Sequence, residues 1–285
     1  VKQRMCFYLS VMLLLASMLS FRWPVDEGRI TSTFGESRGD HFHDGVDIVC
    51  KDDKVYPVAK GKLLYYWDKT IFPLENEPGG GNFRVLQHGE KIRSIYMHLE
   101  GAVPPQSVYE DKDVVGIVGN SGHSFSKHLH LSILNLDRQS VNPLAILPAT
   151  VDTMAPKIED MYLKIDDRYM KIRNGSDIRL TRHYPLLVRI SDSITGRENL
   201  GVNKLRAVFN EKTVCDVEFN AIDFTSSGLS VKKKHFDELF DDEGYYKIDN
   251  ITYRDGLNTL KIITSDFAGN TTEKEFTCSV TLDMQ

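Results

Sequence analysis

Apolar residues recur along this chain mostly with a period of two, in short runs closed by Gly, Pro, Asn and Asp. A period of two puts alternate side chains on one face of an extended strand. In the first half such runs occupy residues 54–58, 61–67, 82–86, 92–97, 114–118 and 128–134, and residues 46–49 start a strand after the Asp44-Gly45 turn signal. The pattern predicts an antiparallel all-β domain over residues 23–148, closed by Val141-Asn142-Pro143-Leu144 and Leu147-Pro148, because proline cannot continue a central strand. Residues 149–156 read as a linker. Alternation then resumes at 157–165, 185–190, 205–209, 213–219, 259–263 and 275–282, with Gly269-Asn270 as a hairpin signal. Regular short strands over ~130 residues predict a second β-sandwich from 157 to 285, folded separately and joined by a linker with few cross-contacts. No sustained helical period and no internal repeat appears.

The N-terminus departs from this pattern. Lys2, Gln3 and Arg4 precede an apolar run over residues 5–19, and residues 1–22 read as a secretory signal. The run is short for a membrane-spanning helix. No small-x-small cleavage site stands near its end, so an uncleaved anchor is the alternative. Net charge is −5 with 26% charged residues, which supplies no global positive field for nucleic acid or anionic membrane. Lys232-Lys233-Lys234-His235 is followed closely by acids and reads as a solvated, charge-mixed face. Besides Cys6, the cysteines are Cys50, Cys215 and Cys278, none with C-x-x-C spacing. Cys215 and Cys278 fall on core-facing positions of alternating runs, either as buried thiols or as a disulfide.

The chemistry lies in the histidines. Seven of the nine fall between positions 41 and 130. On a strand, His128 and His130 project to one side. A turn followed by a strand can aim His43 and Asp47 at one point. Two imidazoles and a carboxylate make a catalytic zinc set with one position open for water. One histidine of these is then spare, and His98 is another; spare histidines beside a metal are candidates for proton transfer.

Phe34-Gly35, His43-Asp44-Gly45-Val46-Asp47, Tyr96-Met97-His98-Leu99, Gly116-Ile117-Val118-Gly119-Asn120-Ser121-Gly122 and His128-Leu129-His130 occur in that order. This series, over roughly residues 24–148, closely resembles the LytM/lysostaphin-type zinc peptidases, the M23 family, which cut peptide cross-links in bacterial cell walls. The resemblance implies that His43, Asp47 and His130 bind Zn2+, and that His98 and His128 flank the metal and handle protons and charge. His41, His88, His123, His183 and His235 match no motif position and read as structural or peripheral. Where many relatives carry an aromatic residue near the groove, Glu36 and Ser37 stand here. The Gly-rich loop over residues 69–82 is either a groove wall or a long connection. Asp255-Gly256-Leu257-Asn258 with Asp266-Phe267-Ala268-Gly269-Asn270 resembles bacterial immunoglobulin-like domains, which makes the expected sandwich immunoglobulin-like.

The expectation is an exported zinc metalloendopeptidase of the periplasm or cell envelope, acting on stem peptides or cross-links of peptidoglycan. Two other functions compete: a regulator that activates a wall amidase without catalysis, and a peptidase acting on a protein. Retention of every motif position favours the enzyme. Nucleic acid is not an expected partner, and membrane contact is expected only through the N-terminal segment. The second domain is expected to position the enzyme on wall or on a protein partner, and a chain ending near Pro148 to remain folded.

Overall fold

The computed structural model describes residues 21–101, 103–137 and 139–283; the expected signal or anchor lies almost wholly outside them. The described chain is nearly all β, in antiparallel sheets with one parallel pair. Among the described residues no helix is long and apolar enough to cross a membrane.

The first sheet is centred on four antiparallel neighbours: Leu129–Asn135, Ile92–Glu100, Asn82–His88 and Gly61–Trp67. Leu129 and Leu131 point into a core with Val46, Ile48, Leu86, Tyr96 and Leu99. The intervening positions His130 and Ser132 take the opposite face and are also buried. One strand thus separates apolar packing from polar chemistry by its two-residue period.

Further along, Arg168–Ile172, Lys157–Ile165, Leu186–Ser191 and Tyr246–Ile248 form a four-stranded sheet. Ser176–Leu180, Thr271–Leu282, Gly256–Ser265, Lys204–Phe209 and Lys212–Glu218 form a five-stranded one. Met161, Leu163 and Val188 of the first share a single hydrophobic cluster with Ala207, Ile262 and Val280 of the second, as in two sheets packed face to face. Cys215 and Cys278 are buried as separate thiols.

The expected division with few cross-contacts differs from the structure. Ala221–Thr225, Gly228–Val231 and Lys234–His235 leave the sandwich and extend the first sheet to thirteen strands. They attach through Gln139–Val141, with Ser140 opposite Ile222. In return Phe34 and Phe42 of the first half are fully buried in the sandwich's cluster. The Phe42 ring meets Phe236 edge-on at 5.3 Å. The physical reason is edge protection: Gln139–Val141 would otherwise present unpaired backbone groups, and a strand eighty residues away supplies the partner.

Truncation therefore should not behave as the sequence suggests. Each buried phenylalanine contributes roughly 1.5–3 kcal/mol, against a total of about 5–15 kcal/mol for a domain. A chain ending at Pro148 exposes Phe34, Phe42 and the 139–141 edge together, and is expected to aggregate or to lose cooperative unfolding. A soluble fragment with a sharp thermal transition by circular dichroism would contradict this.

Candidate metal centre

Asp47, on strand Val46–Val49, lies directly opposite His130 in the antiparallel pairing with Leu129–Asn135. Opposed residues on one face have neighbouring Cβ atoms, so the sheet register alone brings carboxylate and imidazole together. Gly45 permits the approach: a Cβ there would sit 2.5 Å from the Leu131 carbonyl oxygen and 2.6 Å from His130 Nε2. His43 is delivered by a loop closed on itself, with Gly35 N–H donating to the His43 carbonyl and His43 N–H to the Glu36 carbonyl, both at 2.8 Å.

His43 Nε2 lies 3.0 Å from Asp47 Oδ1 and 3.1 Å from His130 Nδ1, and His130 Nδ1 is 3.0 Å from the same Asp47 oxygen. All three residues are buried. The outer ring nitrogens settle the tautomers. His43 Nδ1 donates to the Thr33 carbonyl at 2.7 Å, which leaves a lone pair on Nε2. His130 Nε2 faces Ser132 Oγ at 2.8 Å and Asp44 Oδ1 at 3.3 Å, so a proton there leaves Nδ1 bare. Two nitrogen lone pairs and a carboxylate oxygen then converge on one point, an arrangement that only a cation or a proton relieves.

The donor set fits zinc. Bonds of about 2.0–2.1 Å in tetrahedral geometry separate neighbouring ligand atoms by about 3.3 Å, close to the spacing seen here. The outer hydrogen bonds to a carbonyl and a carboxylate are those that orient metal-binding imidazoles. Electrostatics agree. Burial alone would raise Asp47, but hydrogen bonds and charge from His130 and His43 hold it well below the usual carboxylate range. For His130, burial is outweighed by Asp44 and Asp47, and the imidazole is pushed up to about 9. The pocket draws positive charge.

His98 stands where strand Ile92–Glu100 changes partners, Met97 pairing with His130 and Leu99 with Val118. Its backbone is left-handed, φ +61°, which is uncommon for a residue with a Cβ. His98 Nδ1 donates to the Ser121 carbonyl at 2.8 Å, and its ring centroid is 5.9 Å from that of His130. His128 Nδ1 donates to the Ser126 carbonyl at 2.7 Å, and its Nε2 is 3.6 Å from Asp47 Oδ1. The two rings are 4.9 Å apart. Burial, with repulsion from His130 and His128, pushes His98 down to about 4 against the Ser121 hydrogen bond, so it is neutral at pH 7.

The Gly-rich loop braces this arrangement. His98 N–H donates to the Gly80 carbonyl and His123 N–H to the Gly79 carbonyl, each at 2.8 Å. Gly81, at φ +61°, passes so close to Ser121 that a Cβ would lie 2.3 Å from its hydroxyl. The other histidines stay apart. His41 pairs with Asp40 on the surface, and His88 is a core residue bonded to the Lys60 carbonyl and Ser94 Oγ. His183 stacks on Tyr253, and His235 precedes a one-turn helix, Phe236–Leu239.

Arg38 escaped the sequence reading, although a lone cation nine residues before Asp47 was a signal. Its Nη2 lies 2.5 Å from Asp47 Oδ2 and 2.9 Å from Ser32 Oγ, so one carboxylate oxygen is held while the other faces the imidazoles. Glu36 does not face a groove. Its Oε1 accepts from Thr33 N–H at 2.5 Å and from Gly201 N–H at 2.9 Å, and its Oε2 accepts from Ser32 Oγ. It ties the His43 loop to the second half of the chain. Arg38→Gln is expected to weaken zinc binding by roughly 10–100-fold, the scale of lost outer-shell partners. Chelator competition would measure this, and wild-type affinity in the variant would contradict the role.

Residues 41–143 match the model of Peptidase family M23. Over these residues the chain is similar to that family. A second family model, without a functional description, spans residues 155–281. Among curated proteins, an uncharacterized metalloprotease of Haemophilus influenzae is 27% identical over 153 residues, 50% of this chain and 30% of that protein. The DD-carboxypeptidase/endopeptidase Mpg of Neisseria meningitidis is 27% identical over 141 residues, 47% of this chain and 31% of that protein. The peptidoglycan DD-endopeptidase ShyA of Vibrio cholerae is 28% identical over 116 residues, 40% and 26%. The chain spans about 30% of the length of the curated relatives it matches. His43, Asp47, His98, His128 and His130 all fall within the M23 match.

Proposed function

We propose that this chain is an exported zinc-dependent endopeptidase that hydrolyses cross-links or stem peptides of bacterial peptidoglycan. The observation that carries the reading is the convergence of His43 Nε2, His130 Nδ1 and Asp47 Oδ1 within 3.1 Å of one another, beside two more imidazoles. When bound, zinc would lower the pKa of its water toward about 7 and polarise the scissile carbonyl. His43, Asp47 and His130 would hold it, with Arg38 fixing the carboxylate. His98, kept neutral by burial, accepts the proton of the attacking water at Nε2. His98 then returns that proton to the leaving amine, and His128, facing the same space from the opposite loop, would donate from Nε2 to the developing oxyanion.

The printed names of two relatives, a DD-carboxypeptidase/endopeptidase and a peptidoglycan DD-endopeptidase, support wall peptide as the substrate and an envelope location with it. The two-sheet unit is read as an immunoglobulin-like domain that positions the enzyme. A regulator without catalysis is disfavoured because every ligand position is filled and brought together. The zinc-loaded chain is expected to clear purified peptidoglycan in a zymogram, to lose that activity on chelation, and to leave casein intact. A zinc-loaded protein that leaves wall intact would sink the proposal, and cleavage of casein alone would move the substrate to proteins.

A further inference from the structure

A second group of metal-ligating side chains lies away from the histidines. Asp152 belongs to the segment entering the sandwich, Asp192 follows strand Leu186–Ser191, and Asp266 follows strand Gly256–Ser265. One carboxylate oxygen from each lies within 4.8 Å of the others. Asp266 is fixed by its own turn: Oδ1 accepts from the N–H groups of Ala268, Gly269 and Asn270 at 2.7–2.9 Å. Asn270 Nδ2 donates to Asp266 Oδ2 at 2.8 Å and to the Asp152 carbonyl at 3.2 Å, which joins the hairpin to the entering segment.

Asp192 is the informative member. It is 5% exposed, and its Oδ1 is buried without any hydrogen-bond partner. A buried carboxylate oxygen left unsatisfied costs free energy unless a proton or cation meets it. Neighbouring arginines are engaged elsewhere, Arg29 with Glu198 at 3.4 Å and Arg189 with Glu159 at 3.0 Å. Burial, then the charges of Asp266, Asp152 and Glu198, pushes the Asp192 carboxyl up to about 7. Three carboxylates with no nitrogen or sulfur donor form a hard, all-oxygen set. Such a set suits calcium, which tolerates irregular geometry, better than magnesium or zinc.

We propose that Asp152, Asp192 and Asp266 bind one calcium ion at the junction of the M23-like domain and the sandwich. The site borders a cleft shared with Ile30, Thr33 and Leu144, and Thr33 also supplies the carbonyl that orients His43. Calcium would pin the entering segment to two sandwich loops beneath the loop that carries the zinc ligand. This inference is independent of the proposed substrate.

Calcium chloride added to the full chain tests it by calorimetry and by thermal melting. One ion per chain is expected, with a dissociation constant of roughly 10 µM to 1 mM. The melting temperature is expected to rise by roughly 5 °C at a hundredfold excess. Asp192→Asn keeps the shape and removes a charge, so without calcium it should melt above the wild type while losing the calcium response. Asp152→Asn, at a half-buried position, should weaken binding and gives a second route if the first variant folds poorly. Asp216→Asn, which removes an exposed carboxylate elsewhere on the sandwich, should keep the full response. No heat and no melting shift in the wild type up to about 10 mM calcium would overturn the site. So would an undiminished response in both Asp192→Asn and Asp152→Asn, or its loss in Asp216→Asn.

Discussion

Asp47→Ala is expected to leave the chain folded, without tightly bound zinc and without activity. Asp47 Oδ1 is the oxygen shared by both ligand imidazoles, so its removal leaves two nitrogens that make a poor site. The loss of affinity should far exceed the roughly 10–100-fold typical of an outer-shell change. Arg38 also loses its buried anion, which adds to the disruption of the Ser32–His43 loop. Elemental analysis after gel filtration measures the effect, and one equivalent of zinc in the variant would overturn the ligand assignment. The same experiment on His43→Ala and His130→Ala should give the same result.

Removing the flanking imidazoles should separate metal binding from turnover. His98→Ala and His128→Ala are each expected to keep one zinc and to lower kcat by roughly two to four orders of magnitude. KM should change much less, because neither ring holds the metal. Burial already pushes His98 down to about 4, and a divalent ion nearby lowers it further. His98 therefore loses its basic form only as pH falls toward that value, and imposes no acid limb on activity over roughly pH 5–8. Near-normal wall hydrolysis by either variant would remove that residue from the chemistry, and loss of zinc would make it a ligand.

Much of this was legible in the chain because local signals and global structure agree. Residues 61–67 and 157–165 read as strands and form strands with those bounds, although each carries an irregularity, between Leu63 and Tyr65 and between Ile158 and Met161. Gly269-Asn270 turns between Ser265 and Thr271, as its residue types require. His43, Asp47, His98, His128 and His130 meet because two of them face across one strand pair and the motif loops close around them. What escaped depends on tertiary pairing. The left-handed His98 follows from a strand that changes partners, which no local periodicity reveals. Arg38 reaches Asp47 only after the loop from Phe34 to His43 folds back on itself. The strands within residues 221–235 were missed because their partner, Gln139–Val141, is distant in sequence, and the apparent linker concealed how closely the two halves interlock. Glu36 illustrates the same limit. Its position suggested a change in substrate contacts, whereas its carboxylate spans the two halves at Gly201.

Mass spectrometry of muropeptides from purified peptidoglycan, digested by the zinc-loaded chain, tests the central claim most directly. The account predicts that cross-linked species convert to products that have each gained one water and exposed a new peptide amine and carboxylate. The glycan strands should stay intact, and chelation or Asp47→Ala should abolish the conversion. An unchanged muropeptide profile from protein carrying a full equivalent of zinc would contradict it.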